Sequence, residues 1–178
     1  ANPLIRRAVS VAIDRSGIVD AALSGVGGVP AGTVFPAGRG WAANIDPIYD
    51  PVLAEKLLVE AGAVKQDGTW MLDGMPLEID IVTYSSRAAL PPTVELTQAF
   101  LQEIGVTSNV RVGEYGASND AIKDGSADLF LQAWVMTPQG DPGAVLEALL
   151  KSTGGSNAGG YSNTNLDALL EDGRTTFD

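Results

Sequence analysis

Asp128-Leu129-Phe130-Leu131-Gln132-Ala133-Trp134-Val135, running on through Met136-Thr137-Pro138-Gln139-Gly140-Asp141-Pro142, is the stretch whose reading decides the fold. The first part is an apolar run of strand length and the second is turn-forming, so together they predict a buried strand that empties into a loop. Strands this apolar suit a sheet covered on both faces, and in open α/β sheets ligands collect just beyond the carboxyl ends of such strands. Trp134 stands at that end. Composition alone makes it a core residue, whereas its position makes it an apolar platform for a ligand.

Outward from this strand, the flanking pattern alternates between strands and helices. Val106 to Val112 alternates as a strand, Thr93 to Ile104 reads as a helix ended by Gly105, and Leu77 to Val82 reads as another strand, which establishes βαβ order. Asp67-Gly68 and Asp73-Gly74 bracket Thr69 to Leu72 and predict a β-hairpin over residues 69–82. Further back, Asp50 caps a helix that has Pro51 in its first position, Leu53, Leu57 and Leu58 as its apolar stripe and Gly62 as its stop. Residues 25–49 dissolve into Gly, Pro and Ala around Phe35 and Trp41, a long ordered loop in which Trp41 packs the chain down. Before it, Pro3 to Arg15 is a helix with Leu4, Ala8, Val11 and Ala12 on one face, and Ser16 caps a second helix that reaches Leu23 and closes at Gly25. On the other side, short helices are expected over Ala117 to Lys123 and Pro142 to Leu150, then a loop from Ser152 to Asn163 and a helix from Asn165 in mid-course where the chain stops. The expected architecture is α/β, a mixed β-sheet flanked by helices, forming one domain over residues 1–178.

Composition narrows the chemistry. The 178 residues carry 22 Asp and Glu against 11 Lys and Arg, and a formal charge of −11 repels phosphate backbones and anionic lipid, so no nucleic-acid partner is expected. With no Cys and no His, triads and zinc sites built on those residues are excluded within this stretch, leaving carboxylate, Lys or Tyr chemistry as the enzymatic routes. The carboxylates are scattered through caps and turns, no calcium-loop spacing occurs, and Gly25-Val26-Gly27-Gly28 lacks the Lys-Ser/Thr of a phosphate cradle. A carboxylate-dependent hydrolase is the enzymatic alternative, although nothing singles out a pair of acids. Tyr84-Ser85-Ser86-Arg87, directly after a strand, holds a lone Arg that is either a solvated surface charge or an anion-binding group.

Several separated segments resemble the peptide- and nickel-type extracellular solute-binding proteins of ABC importers. They are Arg6 to Arg15, Tyr49-Asp50-Pro51 with Ala54 to Leu58, Glu60-Ala61-Gly62, Gln98, Leu101 and Ile104-Gly105-Val106. Asp128-Leu129, Trp134, Gly140-Asp141-Pro142, Tyr161-Ser162-Asn163 and Leu166 to Leu170 follow in the same order. The resemblance implies a periplasmic-binding-protein-like lobe without catalysis or cofactor. In a two-lobed protein this would be most of the C-terminal ligand-binding lobe, with the N-terminal lobe, the export signal and a returning C-terminal segment absent. It also implies a periplasmic or extracellular location, with a lipid anchor, and an ABC permease as partner.

Within that resemblance, the loop after Tyr84 and the strand end at Trp134 are ligand-facing, which makes Arg87, Tyr84, Gln132, Trp134, Met136 and Thr137 the ligand-binding candidates and leaves no metal ligands. Arg87 stands where peptide-binding members place an Arg for the ligand carboxylate. Thr137 stands where they carry an Asp for the peptide's amino group, and a neutral hydroxyl there leaves a buried ammonium without compensation. The implied ligand therefore has an anionic group and no obligatory free amine: a blocked peptide, an organic acid, or nickel or another metal brought as a chelate.

Overall fold

The computed structural model describes residues 2–35, 38, 42–137 and 141–175. Trp41 and the Pro138-Gln139-Gly140 part of the expected turn lie outside the described residues. Contacts divide the chain, where one domain is expected, into two compact units, Ala1–Ala133 and Trp134–Asp178.

The first unit begins with helix α1, Pro3–Ala12, which Asn2 caps by accepting from the Leu4 N–H at 2.9 Å and which buries Ala8, Val11 and Ala12. The cap of α2, Arg15–Ala22, is Asp14 and not Ser16: its carboxylate accepts from the N–H groups of both Ser16 and Gly17 at 3.0 Å. A carboxylate at the true cap position satisfies two orphan donors, and Ser16, two places further in, supplies one of those donors instead of capping them. Residues 25–49 contain no helix or strand among those described. Helix α3, Pro51–Glu60, is built as its sequence predicts, with Asp50 accepting from Leu53 N–H at 2.8 Å, Leu57 and Leu58 buried against α1, and Gly62 at φ +91° ending it.

Strands β1 (Val64–Gln66), β2 (Thr69–Leu72) and β3 (Met75–Pro76) form an antiparallel meander. Asp67-Gly68 and Asp73-Gly74 each have both φ angles positive, the left-handed pair of turn residues that suits the twist of a two-residue hairpin. The predicted hairpin over 69–82 is split: after Pro76, which has no N–H to extend a ladder, Leu77 makes one last bond to Trp70 O and the chain crosses into a different sheet. Trp70 fastens the meander to the rest, its indole Nε1 donating to Ile104 O at 2.7 Å.

That second sheet is parallel, with β4 (Glu78–Tyr84) between β5 (Thr107–Gly113) and β6 (Leu129–Phe130). The strands expected in one mixed sheet are thus sorted into an antiparallel and a parallel one. Helix α4, Leu90–Glu103, links β4 to β5, and α5, Tyr115–Lys123, links β5 to β6. Ile79 and Ile81 of β4 join Val94, Leu101 and Val106 in the core that α1 and α3 complete. On the other face Tyr84 meets Tyr115 of α5, and Ser118 Oγ donates to Thr83 O at 2.9 Å. The strand expected over Asp128 to Val135 is only two residues long, because hydroxyls of β4 take the place of main-chain partners beyond Phe130.

The second unit holds α6, Gly143–Leu150, and α7, Thr164–Gly173, the latter capped by Asn163 accepting from Asn165 and Leu166 N–H. Asp167 accepts from Ser152 N–H at 2.9 Å, and Lys151 pairs with Glu171 at 2.7 Å, so the end of one helix is pinned to the other.

At Gly105, φ is +86° and an added Cβ would run into the carbonyl oxygen of Gly68, so both backbone strain and a collision oppose a side chain. Gly105→Ala should cost about 2 kcal/mol or more in a denaturant titration. In the second unit, the hydrogen bond from Lys151 and its charge hold the Glu171 carboxyl below its usual range, and the same bond holds the Lys151 ammonium above its own. A lowered carboxyl stabilises the fold above its unfolded value and loses that contribution as pH falls through its native one. The melting-temperature gap between wild type and Glu171→Gln should therefore close as pH drops below about 4. The raised Lys151 gives the mirror case, its contribution present below about pH 10.4 and lost as pH climbs through the higher native value.

Candidate functional site at the carboxyl edge of the parallel sheet

Because β4, β5 and β6 run parallel, their carboxyl ends emerge on one side. Beyond β4 the chain turns through Ser85, Ser86 and Arg87, all exposed. Ser85 N–H donates to Gly113 O at 3.1 Å, holding the turn beside the end of β5, and Leu90 N–H donates to Arg87 O at 3.0 Å as α4 begins. The turn's backbone is thus fixed on both sides of Arg87, whose guanidinium makes no hydrogen bond or ion pair with a described residue. Beyond β5 comes Glu114, exposed, preceding α5. Sequence reasoning passed over Glu114; its place directly after an alternating strand was the available signal.

Beyond β6 the ladder changes character. Asp128 N–H donates to Asp80 O and Leu131 N–H to Val82 O, as in a parallel pair. Then the side chains of β4 take over. Thr83 Oγ1 donates to Leu131 O at 2.8 Å, and Tyr84 Oη accepts from Ala133 N–H at 3.1 Å. This is why the expected strand stops at Phe130 while residues 131–133 still follow β4: hydroxyls replace main-chain partners. Gln132, between those two ties, is half-buried, and its carboxamide makes no hydrogen bond with a described residue.

Of the sequence-predicted residues, the first unit therefore holds Tyr84, Arg87 and Gln132 at the sheet's carboxyl edge. Tyr84 is not an open contact: it is 5% exposed, with its ring edge-on to Tyr115 at 5.1 Å and to Phe130 at 6.1 Å. Trp134, Met136 and Thr137 belong to the second unit. Trp134 does not end a strand, since it lies beyond the last paired residue, Phe130, and at 36% exposure it is not a core residue either. Met136 and Thr137 are half-buried.

Elsewhere in the first unit, a cleft of about 460 Å³ is lined by apolar side chains including Val9, Ile13, Ile18, Leu129 and Leu131. Its Arg15 is already engaged, donating to Ser10 O at 3.0 Å and Ser10 Oγ at 3.1 Å. Among the described residues no cluster of His, Cys, Asp and Glu could hold a metal ion, and no helix is long and apolar enough to cross a membrane.

Residues 1–157 match the family model described as bacterial extracellular solute-binding proteins, family 5 Middle. A probable di/tripeptide-binding protein 5 of Pseudomonas aeruginosa is 33% identical over 97% of this chain and 32% of its own length. Heme-binding protein A of Haemophilus influenzae is 30% identical over 96% of this chain and 30% of its own. Among solved structures, NikA from Staphylococcus aureus in complex with Ni(L-His)2 superposes with a TM-score of 0.83 at 25% identity, covering 98% of this chain and 36% of that one. The chain spans about a third of the length of the curated relatives it matches.

The hydroxyl ties are open to direct test. Thr83 is fully buried, so Thr83→Val keeps the shape while leaving Leu131 O without its donor. The expected cost is about 1–3 kcal/mol, read from equilibrium unfolding.

Proposed function

The chain belongs to the bacterial extracellular solute-binding proteins of family 5, and on that premise we propose that the carboxyl edge of its parallel sheet faces a ligand, with Arg87 taking an anionic group. The observation that carries this is Arg87 itself. It is exposed at the end of the central strand, on a backbone fixed from both sides, with its donors unused by any described residue. A guanidinium so held presents a planar fork that matches a carboxylate, and little ordering remains to be done when the anion arrives.

In the whole protein this edge serves a substrate-binding component of an ABC importer. Residues 1–178 make up most of one of two lobes that close on a small ligand and hand it to a permease at the cytoplasmic membrane. The protein works outside that membrane, held by a lipid anchor, and binds without turning its ligand over. Support comes from the relatives, which are named for the solutes they bind: di- or tripeptides, heme, and a nickel–histidine complex. For this chain a peptide-like or other anionic ligand is the first reading. A metal chelate is the second, favoured by the likeness to the nickel–histidine structure; with no His in the sequence, these residues supply no imidazole and the metal would arrive with its own ligands. In the second unit, Trp134, Met136 and Thr137 are proposed as contacts on their sequence position, and the neutral Thr137 asks for no ammonium.

The test is calorimetric titration of the full-length protein with a panel of short peptides, N-acetylated peptides, organic acids and the nickel–histidine complex. Arg87→Ala should weaken every anionic ligand that binds by about 10- to 100-fold, the equivalent of a charge-assisted hydrogen bond. Unchanged affinities across all ligands that bind would remove Arg87 from the site.

A further inference from the structure

We propose that Gln132 is a ligand-reading side chain whose direction of departure from the backbone is set by Thr83 and Tyr84, so that Tyr84 is a positioning residue and not a ligand contact. This rests on the reading that the sheet's carboxyl edge faces the ligand. The backbone on either side of Gln132 carries the argument. The peptide group before it contains Leu131 O, which accepts from Thr83 Oγ1 at 2.8 Å; the peptide group after it contains Ala133 N–H, which donates to Tyr84 Oη at 3.1 Å. Two peptide planes meet at the Gln132 Cα, each planar and each held by one hydroxyl of β4. Fixing both planes fixes φ and ψ between them, and with those the direction in which the side chain leaves.

The anchors are themselves packed in. Thr83 is buried and its own carbonyl accepts from Ser118 Oγ at 2.9 Å. Tyr84 is buried and is one of three rings in mutual contact, with Tyr115 and Phe130 also 6.0 Å apart, which favours the position of its phenol beside Ala133. A carboxamide on such a base offers two donors and an acceptor with no described partner, the complement of a peptide group's own carbonyl and N–H. The structure thus assigns to this edge a peptide-group reader in Gln132, a class of ligand chemistry separate from the anion that Arg87 takes.

The experiment is a double-mutant cycle in the full-length protein with N-acetyl-trialanine as the probe, run beside amide hydrogen exchange. Gln132→Ala and Tyr84→Phe should each raise the Kd by about tenfold, and the double variant should be no weaker than Gln132→Ala alone, because the phenol acts only through the glutamine. Ala133 amide exchange should accelerate by about tenfold in Tyr84→Phe while the melting temperature barely moves, since that N–H belongs to an exposed residue and turns to water. Additive losses would make Tyr84 a direct contact and overturn the proposal. Unchanged Ala133 exchange, or no binding of N-acetyl-trialanine by the wild type, would overturn it as well. Failure of the anion reading shows separately: Arg87→Ala would then bind N-acetyl-trialanine as wild type does while Gln132→Ala still loses affinity.

Discussion

Strand β4 has to satisfy two edges and two faces with seven residues, and the first unit is arranged around how it does so. One edge is conventional, a full parallel ladder with β5 from Glu78 to Tyr84. One face is conventional too, with Ile79 and Ile81 seated in the apolar core under α1, α3 and α4. The other edge runs out of ladder after two pairs and is finished by hydroxyls. Polar groups this deep need partners, and Thr83 and Tyr84 find theirs on the segment that leads away from the sheet. The same atoms that complete the strand's hydrogen bonding therefore shape the edge where the candidate ligand groups stand.

Electrostatics takes a smaller part in the first unit than the charge of −11 would lead one to expect. Among the described residues its ion pair, Lys65 with Glu55, is a surface contact, and Asp14, Asp50, Asp67 and Asp73 cap helices or sit in turns. Arg87 makes no ion pair with a described residue. The second unit differs, tying α6 to α7 through Lys151, Glu171, Glu147 and Arg174 while α7 has no buried residue.

Local chemistry made much of this legible from the sequence. Asp50 with Pro51, and the two Asp-Gly turns, announce themselves within four residues, because caps and tight turns are short-range devices. Ser16 misled because Asp14, two places earlier, does the same work better. The extent of β6 was not legible at all. Apolar character continues to Val135, and nothing local says that pairing beyond Phe130 passes to side chains 48 and 49 positions away in the chain. The candidate site shows the same division. Arg87 stood out as a lone cation after a strand, while Tyr84, a ligand-contact candidate on sequence, accepts from a backbone N–H that only the folded chain brings near it.

Main-chain ladders resist revision, since every residue but proline brings the same N–H and C=O whatever its side chain. The stretch from Leu131 to Ala133 is different: its course depends on one threonine hydroxyl and one phenol, both of which a single codon change can delete. A surface fastened this way can be re-aimed by point substitution while the main-chain ladder between β4 and β5 stays paired, at a cost in stability where the lost hydroxyl is buried. That gives a concrete route by which one scaffold could come to serve solutes as unlike as peptides, heme and nickel complexes.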